Sequence, residues 1–525
     1  MKTITPHRTV VTSFSSSSVQ GNNDEYYNSG EYILSIASSS SGSSSTSTHP
    51  HTASSSSSED CFIAAALSDK SIAFYDASLS SINGNGATMQ RIERAHDGPI
   101  SEIEFFPSSS STSSTSLISA GQDGFVKVWD LRCRLNTGGS GSNLSKSSLS
   151  MRLALPNEKA LCISLGYGGT LAAVGTDKAR ISFFDLRYAS STTNNDQCRS
   201  GALLASYVDA HTEEVTKVRF QTTMTSSSSA TTKTSSVDRG KTILASASED
   251  GLIAIHDPSQ PTEDAALLSV LNIGIPTRNI GFFGPNYEGI YALTGSESMS
   301  VHHWDSGQRI CDVGGGMGLR DVLSEAVVRL MGDNDDDNNM TRATMSDHDD
   351  DGNNIIEYLV GCTWAPQVPS SSSLSMPSSP MSSASSFPAL HLLAGNSDGD
   401  GYLFQVDADR ITPLMHLKGG HKGCIRDFSW MEYNNNGGNG GNGMNGRVLV
   451  TGGEDSRLCQ WNVYGTTGVD GGGDSIHHRG SRGGEGGGPI MSGRGGRSNL
   501  DNSNDKHNGG SAVGRKGKKK FGSPY

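Results

Sequence analysis

The chain repeats one hairpin pattern, in which a turn Asp is followed six residues later by an aromatic residue or a His. The pattern is clearest in LISAGQDGFVKVWD (117–130), ILASASEDGLIAIHD (243–257) and VLVTGGEDSRLCQWN (448–462). Alternating apolar and polar residues on each side of the turn are typical of β-strands. The constant offset indicates that each segment is the same two-stranded piece of a repeating unit.

Four further segments carry weaker copies of this hairpin. Their turn and aromatic positions are Asp69 and Tyr75, Asp177 and Phe184, Ser298 and Trp304, and Asp398 and Phe404. The second copy is one residue out of register, the third has Ser in place of the acid, and the fourth continues to Gln405 where an acid would stand. A His-containing turn and another alternating strand precede three of the hairpins, at His96, His211 and His421. The sequence therefore predicts seven four-stranded units.

These features resemble the WD-repeat family of β-propellers over most of the chain outside its low-complexity inserts. The resemblance implies an all-β, seven-bladed propeller with a hydrogen-bonded tetrad of His, Ser or Thr, Asp and Trp in each complete blade. The matching positions are His96, Ser119, Asp123 and Trp129 in one blade, and His421, Thr451, Asp455 and Trp461 in another. A third set, His211, Ser246 and Asp250, has His256 where Trp belongs. From residue 250 onward the sequence also resembles one particular group within this family.

The last unit lacks an outermost strand, because no strand pattern follows Trp461 and Asn462. The β-rich segment RTVVTSF (8–14) precedes the first repeat. In the WD-repeat family an N-terminal strand commonly completes the final blade. We therefore expect residues 8–14 to pair there, which would also cover an exposed sheet edge.

Low-complexity sequence separates the repeats. Only 34% of the 525 residues are hydrophobic and 64 are Gly, which leaves long stretches unable to bury apolar surface. We expect disordered loops near 36–58, 106–116, 223–236, 332–352, 369–386 and 434–446. The predicted organisation is one propeller over 1–464, followed by a disordered Gly-rich basic tail over 465–525.

The tail is the one segment that favours a nucleic-acid partner. The formal net charge of −13 argues against polyanion binding by the whole chain, but the tail is cationic. Its basic residues include Arg479, Arg482, Arg494, Arg497, Lys518, Lys519 and Lys520. Arg-Gly runs bind single strands through charge and stacking, so one hypothesis is an RNA-associated nuclear factor, for example in ribosome production, with the tail as RNA-contacting or nuclear-targeting segment. A solvated, non-specific tail is the alternative.

Two arginines follow repeat-ending acids, in Trp129-Asp130-Leu131-Arg132 and Phe184-Asp185-Leu186-Arg187. This W-D-x-R arrangement resembles the box by which some WD-repeat proteins dock, as substrate receptors, on the adaptor of cullin-4 ubiquitin ligases, so a substrate receptor is an alternative function. An Arg at the rim is able to make a bidentate bond to a partner's carboxylate. The alternative is that Arg132 and Arg187 pair with neighbouring loop acids.

Catalytic and metal-binding patterns are missing from the sequence. It contains no H-E-x-x-H, no G-x-S-x-G and no P-loop, and the eight cysteines form no C-x-x-C pair. His302 and His303 are adjacent on a predicted strand and so point to opposite faces, which argues against a shared metal. We therefore expect a protein that is not an enzyme and that holds no cofactor and no metal.

The resulting functional prediction is a protein-interaction scaffold. The start of the chain shows no signal-peptide pattern and no apolar run is long enough to span a membrane, so an intracellular location is expected. The basic tail slightly favours the nucleus over the cytoplasm. We expect a monomer within a larger complex, with protein partners, a ubiquitin-ligase adaptor or RNA as the candidate partners and no membrane association.

Overall fold

Most of the repeat-bearing sequence is described by the computed structural model. The described residues are 1–11, 31–39, 62–76, 90–107, 116–131, 148–190, 199–221, 242–284, 286–313, 318–332, 355–365, 389–407, 410–434 and 445–463. Within them the strands form seven four-stranded antiparallel units, which we call blades 1 to 7.

The chain begins with two short strands, β1 (Lys2–Ile4) and β2 (Arg8–Val11), that join later blades. Blade 1 contains, from its innermost strand outward, β3 (Ile33–Ser38), β4 (Phe62–Leu67), β5 (Ile72–Asp76) and β6 (Gln90–Ile92). Blade 2 contains β7 (Ile100–Phe105), β8 (Ser116–Gly121), β9 (Phe125–Asp130) and β10 (Leu149–Ala154). Blade 3 contains β11 (Ala160–Gly166), β12 (Leu171–Thr176), β13 (Ile181–Ser190) and β14 (Arg199–Tyr207), with a 3-10 turn at Tyr167–Gly169.

Blades 4 and 5 follow the same order. Blade 4 contains β15 (Val215–Phe220), β16 (Leu244–Ser248), β17 (Leu252–His256), the short helix α1 (Glu263–Ala266) and β18 (Leu267–Asn272). Blade 5 contains β19 (Thr277–Phe283), β20 (Gly289–Thr294), β21 (Met299–His303) and β22 (Arg309–Val313), and helix α2 (Leu319–Gly332) follows it.

Blades 6 and 7 complete the set. Blade 6 contains β23 (Tyr358–Ala365), β24 (Ala389–Gly395), β25 (Gly401–Val406) and β26 (Ile411–Leu417). Blade 7 contains β27 (Ile425–Asn434), β28 (Asn445–Gly453) and β29 (Arg457–Trp461). The expected seven-bladed β-propeller is confirmed.

The N-terminal strand closes the ring. β2 pairs antiparallel with β29 as the fourth strand of blade 7, in the register Arg8–Gln460 to Val11–Arg457. The expected pairing is therefore confirmed for 8–11, and 12–14 lie outside the described residues. The innermost strands contact one another in order from β3 to β27, and β27 contacts β3.

Two pairings were not predicted from the sequence. β1 adds a fifth strand to blade 6 by pairing in parallel with β26. The outermost strands of blades 2 and 3, β10 and β14, also pair in parallel at Met151–Arg199 and Arg152–Ser200. The second pairing joins these two blades into one eight-stranded sheet.

The hydrophobic core lies between the blades. Seven apolar clusters each combine side chains from two consecutive blades, and the cluster between blades 7 and 1 includes Ile33, Ile63 and Val450. The second strand of each blade is sandwiched by its neighbours, which explains the small residues of β4, FIAAAL, nearly all buried. Such strands, covered on both faces, carry apolar residues at successive positions instead of alternating ones.

The hairpin turn has the same backbone conformation in every blade. One residue of each turn has positive φ, at Lys70, Gly124, Ala179, Gly251, Glu297, Gly399 and Ser456. The turn acid directly precedes it in five blades, but Lys178 and Ser296 precede it in blades 3 and 5. The prediction of Ser298 and Trp304 as the turn and aromatic positions of blade 5 is therefore wrong, since Ser296 and His302 occupy them. Trp304 lies beyond β21 and donates to the carbonyl of Tyr287 at 2.8 Å.

Several expected loop boundaries are also corrected. Ile36–Ser38, expected in a loop over 36–58, instead end strand β3, because Ile36 and Ala37 pack in the core. Ser116, Asn434 and 445–446 belong to strands, and Gly332 ends α2. The remaining insert residues lie outside the described residues, apart from Ser39, Phe106 and Pro107. The tail over 465–525 also lies outside them, and the boundary at 464 stays a prediction.

Ring closure gives a direct cross-linking test. Thr9 lies opposite Cys459, with 3.7 Å between Thr9 Oγ1 and Cys459 Sγ, and Cys459 is a free thiol. We expect Thr9→Cys to form a disulfide with Cys459 under mild oxidation and to raise the unfolding midpoint, because the cross-link restricts the unfolded chain. The measurement is thermal unfolding with and without reductant, and peptide mapping of the bond.

Val11→Cys is the matched control for this cross-link, since Val11 lies on the same face of β2 but opposite Arg457. It should form no bond to Cys459. Equal cross-linking by both variants would contradict the register of β2.

Candidate functional site

Blade 2 holds a continuous chain of buried hydrogen bonds. The indole N–H of Trp129 donates to Ser119 Oγ at 2.9 Å, Ser119 Oγ lies 2.7 Å from His96 Nε2, and His96 Nδ1 lies 2.9 Å from Asp123 Oδ1. Burial lowers the pKa of His96 although Asp123 opposes this, so a neutral ring donates to Asp123 and accepts from Ser119. Burial disfavours the Asp123 carboxylate, but His96 and the N–H of Asp97 hold its pKa at about 2.

Blade 7 repeats this arrangement with Thr in place of Ser. Trp461 Nε1 donates to Thr451 Oγ1 at 2.8 Å, Thr451 Oγ1 lies 2.7 Å from His421 Nε2, and His421 Nδ1 lies 3.1 Å from Asp455. The His and Asp side chains are buried in both blades. In each blade these hydrogen bonds join the loop before the innermost strand, the hairpin turn and the second and third strands.

Blade 4 has the His–Asp and His–Ser links of this hydrogen-bond chain but not the link to Trp. His211 Nδ1 lies 3.1 Å from Asp250 Oδ2, and its Nε2 lies 2.8 Å from Ser246 Oγ. His256 stands where Trp belongs, fully buried, and neither of its ring nitrogens has a hydrogen-bond partner among the described residues. Its ring centroid lies 4.9 Å from that of Tyr207. Burial, with His211 nearby, lowers the pKa of His256 to about 4.

The adjacent histidines of β21 are separated as expected. His302 is buried and bonds Ser300 at 3.1 Å, whereas His303 Nδ1 lies 3.2 Å from Ser306 Oγ. No group of three or more His, Cys, Asp or Glu side chains among the described residues is arranged to hold a metal ion. No described helix is long and apolar enough to cross a bilayer.

The innermost strands carry two rings of equivalent positions around the central channel. In all seven blades the register with the next strand shifts near the start of the innermost strand, as at a β-bulge. The residues just after the shift form what we call the bulge ring: Ser35, Glu102, Cys162, Lys217, Asn279, Gly361 and Asp427. The residues two further on form the second ring: Ala37, Glu104, Ser164, Arg219, Gly281, Thr363 and Ser429.

A charge cluster spans blades 2 and 4 across these rings. Glu102 Oε1 accepts from Lys217 Nζ at 2.9 Å and from Arg219 Nη2 at 2.6 Å, while its Oε2 accepts from the N–H of Ile163 at 3.0 Å. Burial works against the charge of Glu102, but Arg219 and Lys217 hold its pKa at about 2. Burial raises the pKa of half-buried Glu104 to about 8, despite the attraction of Arg219. It also raises the pKa of Asp427.

These channel residues were missed at the sequence level, although a signal for them existed. The charged or polar residues stand six and eight positions after the repeat His: Glu102 and Glu104 after His96, Lys217 and Arg219 after His211, and Asp427 and Ser429 after His421. All of these except Ser429 line a channel cavity of about 420 Å³, together with residues of blades 1, 5 and 6.

The predicted docking arginines are only partly described. Arg187 is 63% exposed, and its Nε and Nη2 donate to Asp185 at 3.0 and 2.7 Å. It thus pairs with the acid that ends its own repeat. Arg132 lies outside the described residues, as do Arg479, Arg482, Arg494, Arg497, Lys518, Lys519 and Lys520.

The outer edge of blades 3 and 4 exposes apolar side chains. We define the edge patch as Leu204 and Val208, at and just beyond β14, and Leu267, Leu268 and Val270 of β18, each between 43% and 56% exposed. Leu204 lines a groove of about 240 Å³ with Pro258, Pro261 and Glu263. Glu263 in α1 accepts from the N–H groups of Val208 and Asp209, which joins the two halves of the patch.

The chain is similar to WD-repeat β-propellers in its seven blades and in its tetrads. Residues 88–130 match the family model described as WD domain, G-beta repeat. WD-repeat propellers are generally non-catalytic, and the similarity supports a general role in binding protein partners.

The chain is also similar to the WD repeat-containing protein 89 homolog of Dictyostelium discoideum. The two are 24% identical over 399 residues, which cover 76% of this chain and 79% of the relative. It is likewise 24% identical over 408 residues to the WD repeat-containing protein GTS1 of Arabidopsis thaliana, covering 76% and 77% of the two chains. The particular resemblance seen from residue 250 onward is thus to WD repeat-containing protein 89. A chain in the crystal structure of a mitotic checkpoint complex aligns with a TM-score of 0.47 at 12% identity, covering 88% of this chain and 92% of that one.

Blades 2 and 4 allow a matched test of the tetrad. Ser119→Ala removes a hydrogen-bond partner from two rings, those of His96 and Trp129. Ser246→Ala removes a partner from one ring, that of His211. A buried polar group left unpaired costs about 1–3 kcal/mol, so Ser119→Ala should destabilise by about that much more than Ser246→Ala. Urea unfolding measures the difference, and equal losses would show that the Trp129 link contributes nothing.

His256 makes stability depend on pH. Its pKa is about 4 in the fold and 6.5 in the unfolded chain, so the stability present above 6.5 falls as pH drops toward 4. We expect His256→Phe to remove this loss, about 1.4 kcal/mol per pH unit, and to fold, because Phe184 and Phe404 hold the equivalent position in blades 3 and 6. Denaturant midpoints of both proteins at several pH values measure it, and unchanged pH dependence would contradict it.

Proposed function

We propose that this chain is a non-catalytic scaffold that binds a protein partner along the edge patch of blades 3 and 4. The observation that carries the proposal is the exposure of five apolar side chains at this edge, one of which, Leu204, lines the groove. In monomeric proteins a contiguous exposed apolar patch commonly marks an interaction site.

The form of the patch suits binding of an extended segment. β14 and β18 are the outermost strands of their blades. Among the described residues, the outer edge of β14 pairs only with β10, at Arg199 and Ser200. The rest of that edge presents backbone donors and acceptors beside the groove. An added strand would pair with these groups while its apolar side chains enter the groove.

A second candidate is docking on a cullin-4 ubiquitin-ligase adaptor through Arg187. Its exposure favours this, since the guanidinium is held in one orientation by Asp185 and still faces solvent. The proposal for Arg132 rests on the sequence alone. RNA binding and nuclear targeting by the basic tail also remain proposals drawn from the sequence, as does an intracellular location.

Proximity labelling in cells with edge variants tests the first proposal. Leu204→Asp with Leu268→Asp places two charges in the patch, and should reduce labelling of a discrete set of partners at least tenfold, as a charge buried in an interface costs several kcal/mol. Val328→Asp is the matched control, because Val328 of α2 is similarly exposed but lies outside the patch. The unfolding midpoints of both variants should stay near that of the parent protein.

Two more arms of that experiment separate the alternatives. Arg187→Lys should reduce recovery of the ligase adaptor alone, and a chain ending at 464 should lose RNA and nuclear neighbours alone. Unchanged partners in the Leu204→Asp and Leu268→Asp double variant would refute the edge patch.

A further inference from the structure

The central channel contains a polar cavity that is separate from the edge patch and not used by the tetrads. Its wall is charged on the side of blades 2, 4 and 7, where Glu102, Glu104, Lys217, Arg219 and Asp427 lie. The wall of blades 5 and 6 carries no charged side chain, and includes Asn279, Tyr291, Gly361 and Thr363. The cavity between these walls has a volume of about 420 Å³, which is enough for a small molecule or one side chain.

The two cations of the cavity share one carboxylate. Lys217 and Arg219 both bond Glu102 Oε1, and the other oxygen of Glu102 is occupied by the N–H of Ile163. Arg219 also donates to the carbonyls of Val218 and Ile163. An ammonium group has three donors, and Lys217 uses one of them on the described residues. One positive charge in the pair is thus not balanced by Glu102.

The other two acids of the cavity make no ion pair with Lys217 or Arg219 among the described residues. The two oxygens of Asp427 accept from the N–H groups of Ile36 and Phe428, at 2.6 and 2.8 Å. Glu104 accepts one bond, from the N–H of Leu165 at 3.2 Å. Because burial raises the pKa of Glu104 to about 8, this group is mostly protonated at neutral pH and has an O–H to donate. The Tyr291 hydroxyl already donates to the carbonyl of Cys362.

We propose that the channel cavity binds a monovalent carboxylate through Lys217 and Arg219, with Asn279 and Glu104 as further donors. A single carboxylate would give Lys217 and Arg219 a second ion-pair partner, since on the described residues both pair with Glu102 alone. A phosphate dianion would bring a second negative charge beside Glu102 and Asp427, and a cationic ligand would meet both cations. The carboxylate belongs either to a free organic acid or to the end or side chain of a peptide, which share this chemistry.

Calorimetric titration of the full chain tests the site with three probes. They are acetate, a hexapeptide with a free C-terminal carboxylate and the same hexapeptide amidated. The carboxylate peptide should bind and the amidated one should not. Binding of acetate as well would indicate that a free acid suffices, and its failure would assign the site to peptides.

Two variants locate binding in the cavity. Lys217→Gln removes the cation, and Gly361→Val fills the space without touching a charge, since a Cβ at 361 would meet Phe428 at 3.2 Å and Asn279 at 3.7 Å. Lys217→Gln should weaken binding by about 10-fold or more, the usual effect of a lost charged hydrogen bond. Gly361→Val should weaken binding by at least as much, because the Val side chain occupies the space of the ligand. Lys178→Gln, on an exposed turn of blade 3, is the matched control and should leave affinity unchanged.

The pH dependence distinguishes an anion from a cation. Glu102, Lys217, Arg219 and Asp427 are the charged groups around Glu104, and Glu104 ionises as pH rises through about 8. Carboxylate affinity should therefore fall over that range, most steeply in the parent protein and less in Glu104→Gln. Lack of binding up to tens of millimolar, unchanged affinity in both cavity variants, or guanidinium binding that strengthens with pH would each overturn the proposal.

Discussion

Closure of the ring is the constraint on which the rest of the structure depends. Each apolar cluster needs the faces of two blades, so an open array of seven blades would bury six clusters and leave two faces in water. Pairing of β2 with β29 completes blade 7. Val450 of blade 7 then packs in the same cluster as Ile33 and Ile36 of blade 1. The free energy of this last interface therefore depends on a strand about 450 residues away in sequence, which ties both ends of the fold to one cooperative transition.

Closure also explains why polar side chains gather in the channel. The innermost strand of each blade pairs along one edge, and its other edge, which pairs with no strand among the described residues, faces the neighbouring blade. Side chains from the preceding blade satisfy several backbone N–H groups of this edge: Glu102 accepts from Ile163, Asp427 from Ile36, and Ser164 from Phe220. Buried backbone groups need such partners. Carboxylates at these positions thus serve packing of the ring first, and a charged cavity follows from it.

Much of this architecture was predictable because local chemistry is repeated. The turn acids, the histidines at fixed offsets and the strand-like residues 8–14 are short-range signals, and blade number and closure follow from them. Blade 5 misled the sequence analysis because Ser296 and His302 resemble neither Asp nor Trp, while the nearby Ser298 and Trp304 offered a false match. In blade 5 the turn residue with positive φ is Glu297. A glycine at that position would have marked the turn in the sequence, but a glutamate does not. The parallel pairing of β1 depends on distant contacts with β26, which no local pattern encodes.

The channel cluster was missed for a different physical reason. Glu102, Lys217 and Asp427 occupy one position of the repeat, but their charges differ, so a search for recurring residue types does not find them. Positions such as Ser119 and Thr451 are fixed by a hydrogen-bond chain within one blade, and their residues can therefore hardly vary. Channel positions face other blades and the open cavity, so each blade is free to contribute a different group. In a repeat protein, an equivalent position that carries a different side chain in each blade is therefore a better guide to a binding site than a position with the same residue type in every blade. Here such positions hold Lys217, Arg219 and their three acidic neighbours.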